Sequence, residues 1–169
     1  MPQASREGIL NGMYRLKAGG KIRLLGAGTI LNEVIAASGL LAKDWNVDAE
    51  VFSVTSFTQL RWDGMEKDRS GEASWVSKQL PATGAPVVAA SDYVSSVPDL
   101  IRPWIADRYV TLGTDGFGRS DTRAHLRRFF EVDRHSVVVA ALRALDDPRA
   151  GEAAKRYGLD VEGAPPWAR

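Results

Sequence analysis

The chain has no cysteine. That removes disulfides, thiolate metal sites and cysteine nucleophiles at once, and it is compatible with a reducing cytoplasm. Histidine is almost missing too, with only His125 and His135 present. Neither lies in a metal spacing such as HExxH, so both read as surface or packing residues. No apolar run approaches the ~20 residues that a membrane-spanning helix needs. The first residues, MPQASREG, lack the apolar core of a signal peptide, so the cytoplasm is the expected location. Neither sign of charge dominates: 22 Lys and Arg face 21 Asp and Glu, a formal net charge of +1. Overall charge therefore gives no argument for a nucleic-acid or membrane partner. No internal repeat is visible.

What remains is an ordinary globular composition. Apolar residues make up 44% and charged residues 25% of 169, enough for a single domain with a real core. Residues 1–169 are expected to form that one domain, with 1–8 a loose lead-in and 158–169 a tail. Residues 9–16 predict an edge strand or a short helical turn. Ile22, Arg23, Leu24 and Leu25 predict a strand that stops at Gly26-Ala27-Gly28. A helix is expected over 29–43, with Thr29 as its cap and Ile30, Leu31, Val34, Ile35, Leu40 and Leu41 at helical spacing. Strands follow at 49–54 and 87–90, short and apolar as buried parallel strands are. Residues 63–72 (DGMEKDRSGE) are charged and glycine-interrupted, which predicts a mobile surface loop. Short helices are expected over 73–80, 98–105 and 151–157, and a buried helix over 136–145. Strand and helix alternate about four times, the pattern of a parallel sheet with helices on both faces.

The stretch of greatest interest is 109–128, YVTLGTDGFGRSDTRAHLRR. It reads as an apolar strand, a glycine-studded turn and a helix, with Ser120 or Asp121 able to cap a helix over 122–130. Loops at the carboxyl ends of strands carry function in open α/β sheets. Thr114, Asp115, Phe117, Arg119, Ser120, Asp121 and Arg123 are the candidate residues of this loop. Backbone N–H groups of 113–120 could cradle an anion; the plainer reading is a turn whose charges cap the helix and pair with each other. The loop is not a Walker A motif, and Arg119 stands where a nucleophile elbow needs serine. Arg119, Arg123 and Arg127 recur every four residues and predict a shared helix face, solvated or turned toward a subunit. Gly26-Ala27-Gly28 begins like a dinucleotide fingerprint, but Leu31 holds the third glycine position, so a tight strand-to-helix turn is the expectation. Phe57, Trp62, Trp75 and Trp104 are expected in the core or at an interface.

TLGTDGFGRSDTR, followed by LRRFFEVD and VVVAAL, closely resembles the C-terminal region of the bacterial homodimeric pyruvate dehydrogenase first component. RLLGAGTILNEVI (23–35), VFSVTSFTQL (51–60) and PVVAASDY (86–93) extend the resemblance to residues 7–159. The family implies a three-layer α/β/α sandwich with a five-stranded, mostly parallel sheet, as in transketolase C-terminal domains, its first strand antiparallel and within 9–16. It implies an enzyme that decarboxylates pyruvate and acetylates a lipoyl group, using thiamine diphosphate and Mg2+ held by N-terminal and middle domains. No residue here matches the family's catalytic, cofactor or metal ligands, so the chain alone is expected to be inactive and to bind neither. The loop near 114–123 would lie at the active-site entrance or a domain interface. The implied partners are the N-terminal and middle domains, a second subunit of a homodimer and the lipoyl acyltransferase component. After Arg69 the family continues with a longer WNxLHP-like segment that this chain lacks, which keeps 2-oxobutyrate or another 2-oxo acid open as the substrate. The same residues would also suit a stand-alone regulatory or scaffold domain, or one subunit of a split enzyme.

Overall fold

The computed structural model describes residues 5–160 and 162–169. Its frame is one five-stranded sheet in the order β1-β3-β2-β4-β5, built from β1 (Met13–Lys17), β2 (Ile22–Ala27), β3 (Ala49–Val54), β4 (Val87–Ala90) and β5 (Tyr109–Leu112). β1 is antiparallel to β3, and the other neighbours are parallel. The expected mixed sheet with an antiparallel first strand at its edge is therefore present. The register of β1 shifts between Arg15 and Lys17, a bulge on the edge strand, which discourages further pairing there.

β2 is buried at every position. Period-2 alternation sends Leu24 to one face and Leu25 to the other, and both are fully buried. Each such leucine contributes about 2 kcal/mol of burial. On Leu24's side the core is closed by α2 (Leu31–Trp45) and α6 (Arg134–Ala144), through Val34, Leu41, Val138 and Leu142. The short helices α5 (Arg123–Phe129) and α7 (Ala150–Arg156) finish that layer. On Leu25's side lie Phe57 and Leu60 of α3 (Phe57–Ser70), Val76 of α4 (Trp75–Gln79) and Ile101 of a 3-10 helix, Pro98–Trp104. The result is three layers, helices on both faces of the sheet.

Several sequence expectations are corrected. Part of the expected lead-in is helical, as α1 (Ser5–Leu10); residues 1–4 lie outside the described residues. The expected loop at 63–72 falls mostly within α3, which runs to Ser70 and is ended by Gly71 at φ 74°. Thr29 does not cap α2; it sits in a 3-10 turn, Gly28–Ile30, that leads into the helix with no side-chain cap. The cap of α5 is Thr122, whose hydroxyl accepts from the His125 N–H, rather than Ser120 or Asp121. Arg119 therefore precedes α5 and shares no helix face with Arg123 and Arg127. The short helix expected over 98–105 is a 3-10 helix, Pro98–Trp104, with Pro103 inside it.

Candidate functional site at the carboxyl ends of the strands

β2 and β4 are neighbours, yet the chain leaves them toward opposite faces. From β2 it passes into α2 on one side, and from β4 into the 3-10 helix on the other. Such a reversal opens a crevice at the carboxyl ends of the two strands. A cleft of about 350 Å3 lies there. Thr29 and Ile30, ahead of α2, line one side, and Asp92, after β4, lines another. The glycine-studded loop supplies Thr114, Gly118 and Arg119, and α5 supplies Arg123, Leu126 and Arg127.

The loops after β4 and β5 are stitched together, and this fixes the cleft's rim. The Thr114 N–H donates to the Tyr93 carbonyl at 2.8 Å, and the Ser95 N–H donates to Asp115 Oδ1 at 2.9 Å. Gly113 is needed for this approach: a Cβ there would lie 2.7 Å from Ser95 Cα and from the Tyr93 oxygen. Gly116 adopts φ 97°, where Trp167 of the C-terminal segment closes over it. Arg119 stacks over the Phe129 ring at 4.6 Å and donates from Nη2 to the Arg169 carbonyl at 2.7 Å.

Behind α5 lies the strongest electrostatic feature. Glu33 of α2 is buried, with 6% of its side chain exposed. It accepts from Arg127 Nη1 at 2.8 Å, from Arg134 Nε at 2.8 Å and Nη2 at 3.1 Å, and from the Arg134 N–H at 3.1 Å. Hydrogen bonding from the Arg134 side chain, against the opposing effect of burial, holds the Glu33 carboxyl below its ordinary range. At the rim, the Thr122 N–H and the His125 ring do the same for Asp121. The rest of the arginine run is knitted inward: Arg128 pairs with Asp133 at 3.2 Å and donates to the Gly158 carbonyl at 3.0 Å. His135 stacks on Tyr157 with centroids 4.5 Å apart, a packing role.

Of the loop residues singled out from sequence, the structure brings Thr114, Arg119 and Arg123 to the cleft, makes Asp115 a loop stitch, and leaves Phe117 93% exposed. Ser120 and Asp121 are exposed at the rim. Gly26 serves packing, since a Cβ there would meet Leu31 Cα at 2.8 Å. Phe57 is core, Trp75 donates to the Met13 carbonyl, Trp104 donates to Asp68, and Trp62 is 63% exposed. The sequence reading missed Asp92, Ile30 and Leu126 as cleft residues, and assigned Thr29 only a capping role. The signal that could have found them was positional: Thr29 and Asp92 each follow the carboxyl end of a strand flanking the reversal. Among the described residues no three His, Asp or Glu side chains converge as a metal ion would require. No helix among them is long and apolar enough to cross a membrane. What the cleft offers is recognition, through guanidiniums, hydroxyls and an apolar floor.

A five-stranded mixed sheet of this order, flanked on both faces by helices, is the architecture of transketolase C-terminal domains. The family model of the transketolase-like TK C-terminal domain matches residues 12–133, and the chain belongs to that family. Among curated proteins it is similar to the pyruvate dehydrogenase E1 components of Cupriavidus necator and Pseudomonas aeruginosa, each 44% identical, over 95% and 96% of this chain. That of Escherichia coli is 42% identical over 95% of it. The chain spans about a fifth of the length of these relatives, 20%, 21% and 18% respectively. Among solved structures, the transketolase of Leishmania mexicana superposes with a TM-score of 0.60 at 19% identity, covering 84% of this chain and 19% of that one. A split-gene transketolase, described as an inactive beta4 tetramer, superposes at 0.59 and 19% identity, covering 81% of this chain and 43% of its own. At such identities the structures share the fold.

Proposed function

We propose that this chain is the C-terminal domain, one unit over residues 1–169, of a pyruvate dehydrogenase E1 component. The observation that carries the reading is 44% identity to such a component across 95% of the chain. The whole enzyme decarboxylates pyruvate and acetylates a lipoyl group on an acyltransferase component, in the cytoplasm. Thiamine diphosphate supplies the carbanion chemistry there. In this reading the cofactor and its Mg2+ are held by the N-terminal and middle domains. This domain's own residues build a wall. The stitched loop that carries Thr114, Asp115, Phe117, Arg119, Ser120, Asp121 and Arg123 stands at the active-site entrance or against a neighbouring domain of the homodimer.

The reading is tested on the purified full protein. Pyruvate-dependent reductive acetylation of a lipoyl domain, requiring thiamine diphosphate and Mg2+, is the expected result. Faster turnover of 2-oxobutyrate than of pyruvate would move the assignment to a related 2-oxo acid dehydrogenase. The chain by itself is expected to show no saturable heat with micromolar thiamine diphosphate in calorimetry, and saturable binding would overturn that part. An immunoblot of source cells with an antibody against this chain checks its premise: a band several times larger than 18.4 kDa is expected.

A further inference from the structure

The cleft between β2 and β4 has a chemistry that an interface role for the loop leaves unused. Its lining includes three arginines, Arg119, Arg123 and Arg127, and one acid, Asp92; Arg127 gives its charge to Glu33, which lines the neighbouring cleft. Two of the three are positioned from behind. Arg127 is held by buried Glu33 at 2.8 Å, and Arg119 by the face of Phe129 and the Arg169 carbonyl. Arg123 has no ion-pair partner among the described residues and stands between this cleft and the neighbouring one. Thr29 and Thr114 place hydroxyls on the flanks, and Leu126, Phe130 and Val132 supply apolar surface. A volume of about 350 Å3 falls in the range of sites for small molecules. The place is also where open α/β sheets receive ligands, because strand ends and loops on both sides converge there.

We propose that this cleft is a binding site for a small anionic metabolite in which a phosphate or carboxylate is joined to an apolar body of about ring size. Arg119 and Arg123 take the anion, since a planar guanidinium matches both groups with paired N–H donors. Repulsion from Asp92 keeps the anion on the α5 side. The apolar body lies on Leu126 and Phe130. The site is independent of the proposed enzymatic role: it stands or falls on the cleft, whichever 2-oxo acid the full protein uses.

The test is titration calorimetry on the purified protein with phenyl phosphate, benzoate and inorganic phosphate as probes. Phenyl phosphate or benzoate should bind saturably and more tightly than inorganic phosphate, and whichever binds better tells phosphate from carboxylate. R123Q and R119Q should each weaken that binding about tenfold or more, the effect of losing a charged hydrogen-bond donor. Arg123 is exposed and has no ion-pair partner among the described residues, so R123Q should melt like the parent. In the parent, the bound probe should also protect Arg123 from phenylglyoxal, read by mass spectrometry. Binding that both variants retain, inorganic phosphate held as tightly as phenyl phosphate, or no saturable heat up to about 10 mM would overturn the proposal.

Discussion

Glu33 is the residue on which the α5 side of the molecule depends. Four donors converge on its two oxygens from positions 94 and 101 residues away. Removing the charge leaves Arg127 and Arg134 without their carboxylate, but Arg134 is 46% exposed and solvent screens it, so the loss falls short of that of a fully buried pair, at about 1–2 kcal/mol. Glu33→Gln should therefore lower stability by about 1–2 kcal/mol in urea unfolding at pH 7, with α5 loosened first. The sign of the pH effect follows from the lowered folded value. A carboxyl held below 4.5 contributes its full stabilisation above that pH and loses it as pH falls through the folded value. The parent should thus lose stability on acidification below pH 4.5, and this part of the loss should vanish in Glu33→Gln; equal acid sensitivity in both would remove Glu33 from the account. None of this was legible in the sequence. Glu33 was not singled out on its helix, and Arg127 was expected on a face solvated or turned toward a subunit, because the partner of each lies across the fold.

At the scale of elements, α3 shows where sequence reading failed and why. Its fourteen residues bury only Phe57, Leu60 and Gly64, so the remainder reads as a charged loop. Gly64 reinforced that expectation as a helix breaker. In the fold it is a contact point instead: a Cβ there would lie 2.5 Å from the Trp104 ring. Two effects of Gly64→Ala oppose each other. Helix propensity gains about 1 kcal/mol, while displacing a packed indole, itself hydrogen-bonded to Asp68 at 2.9 Å, costs about 1–3 kcal/mol. The expected net result is destabilisation by about 1 kcal/mol, with a changed Trp104 environment in fluorescence; a stabilised variant would show that the helix and Trp104 separate freely. The N-terminal signal was present and unused: Ser56-Phe57-Thr58-Gln59 has the S-x-x-Q spacing of a capping box, and Ser56 accepts from the Gln59 N–H at 3.1 Å. Ser56→Ala should cost about 1 kcal/mol in thermal unfolding. By contrast, β2, β3, β4 and β5 were legible because each is a short, largely apolar run bounded by glycine, proline or polar turns; β2, β3 and β4 are buried inside the sheet, and β5, at its edge, buries Tyr109. The antiparallel direction of β1 came only with the family resemblance, since an exposed edge strand carries no pattern that fixes its partner.

At the scale of the whole molecule, the carboxyl end of the sheet is unusual for a surface. Phe117 is 93% exposed, and Tyr93 and Val94 are 56% and 47% exposed on the adjoining loop. The two loops are tied to each other by the Thr114 and Ser95 hydrogen bonds, so these side chains are presented on a braced rim rather than a loose tip. Exposed apolar clusters on a fixed surface mark contacts with other chains or domains. The relatives are about five times the length of this chain, which supplies a reason for such a surface within the proposed enzyme. Phe117→Ser tests it at the right scale. Phe117 makes no core contact, so the unfolding free energy of the chain alone should change by less than about 0.5 kcal/mol. In the full protein the same change should weaken subunit assembly in analytical ultracentrifugation and lower pyruvate turnover in parallel. If assembly and turnover both hold while Phe117 is gone, the rim faces solvent in the enzyme. The apolar exposure would then have no structural account, and the loop's contribution would reduce to the cleft that Arg119 and Arg123 enclose.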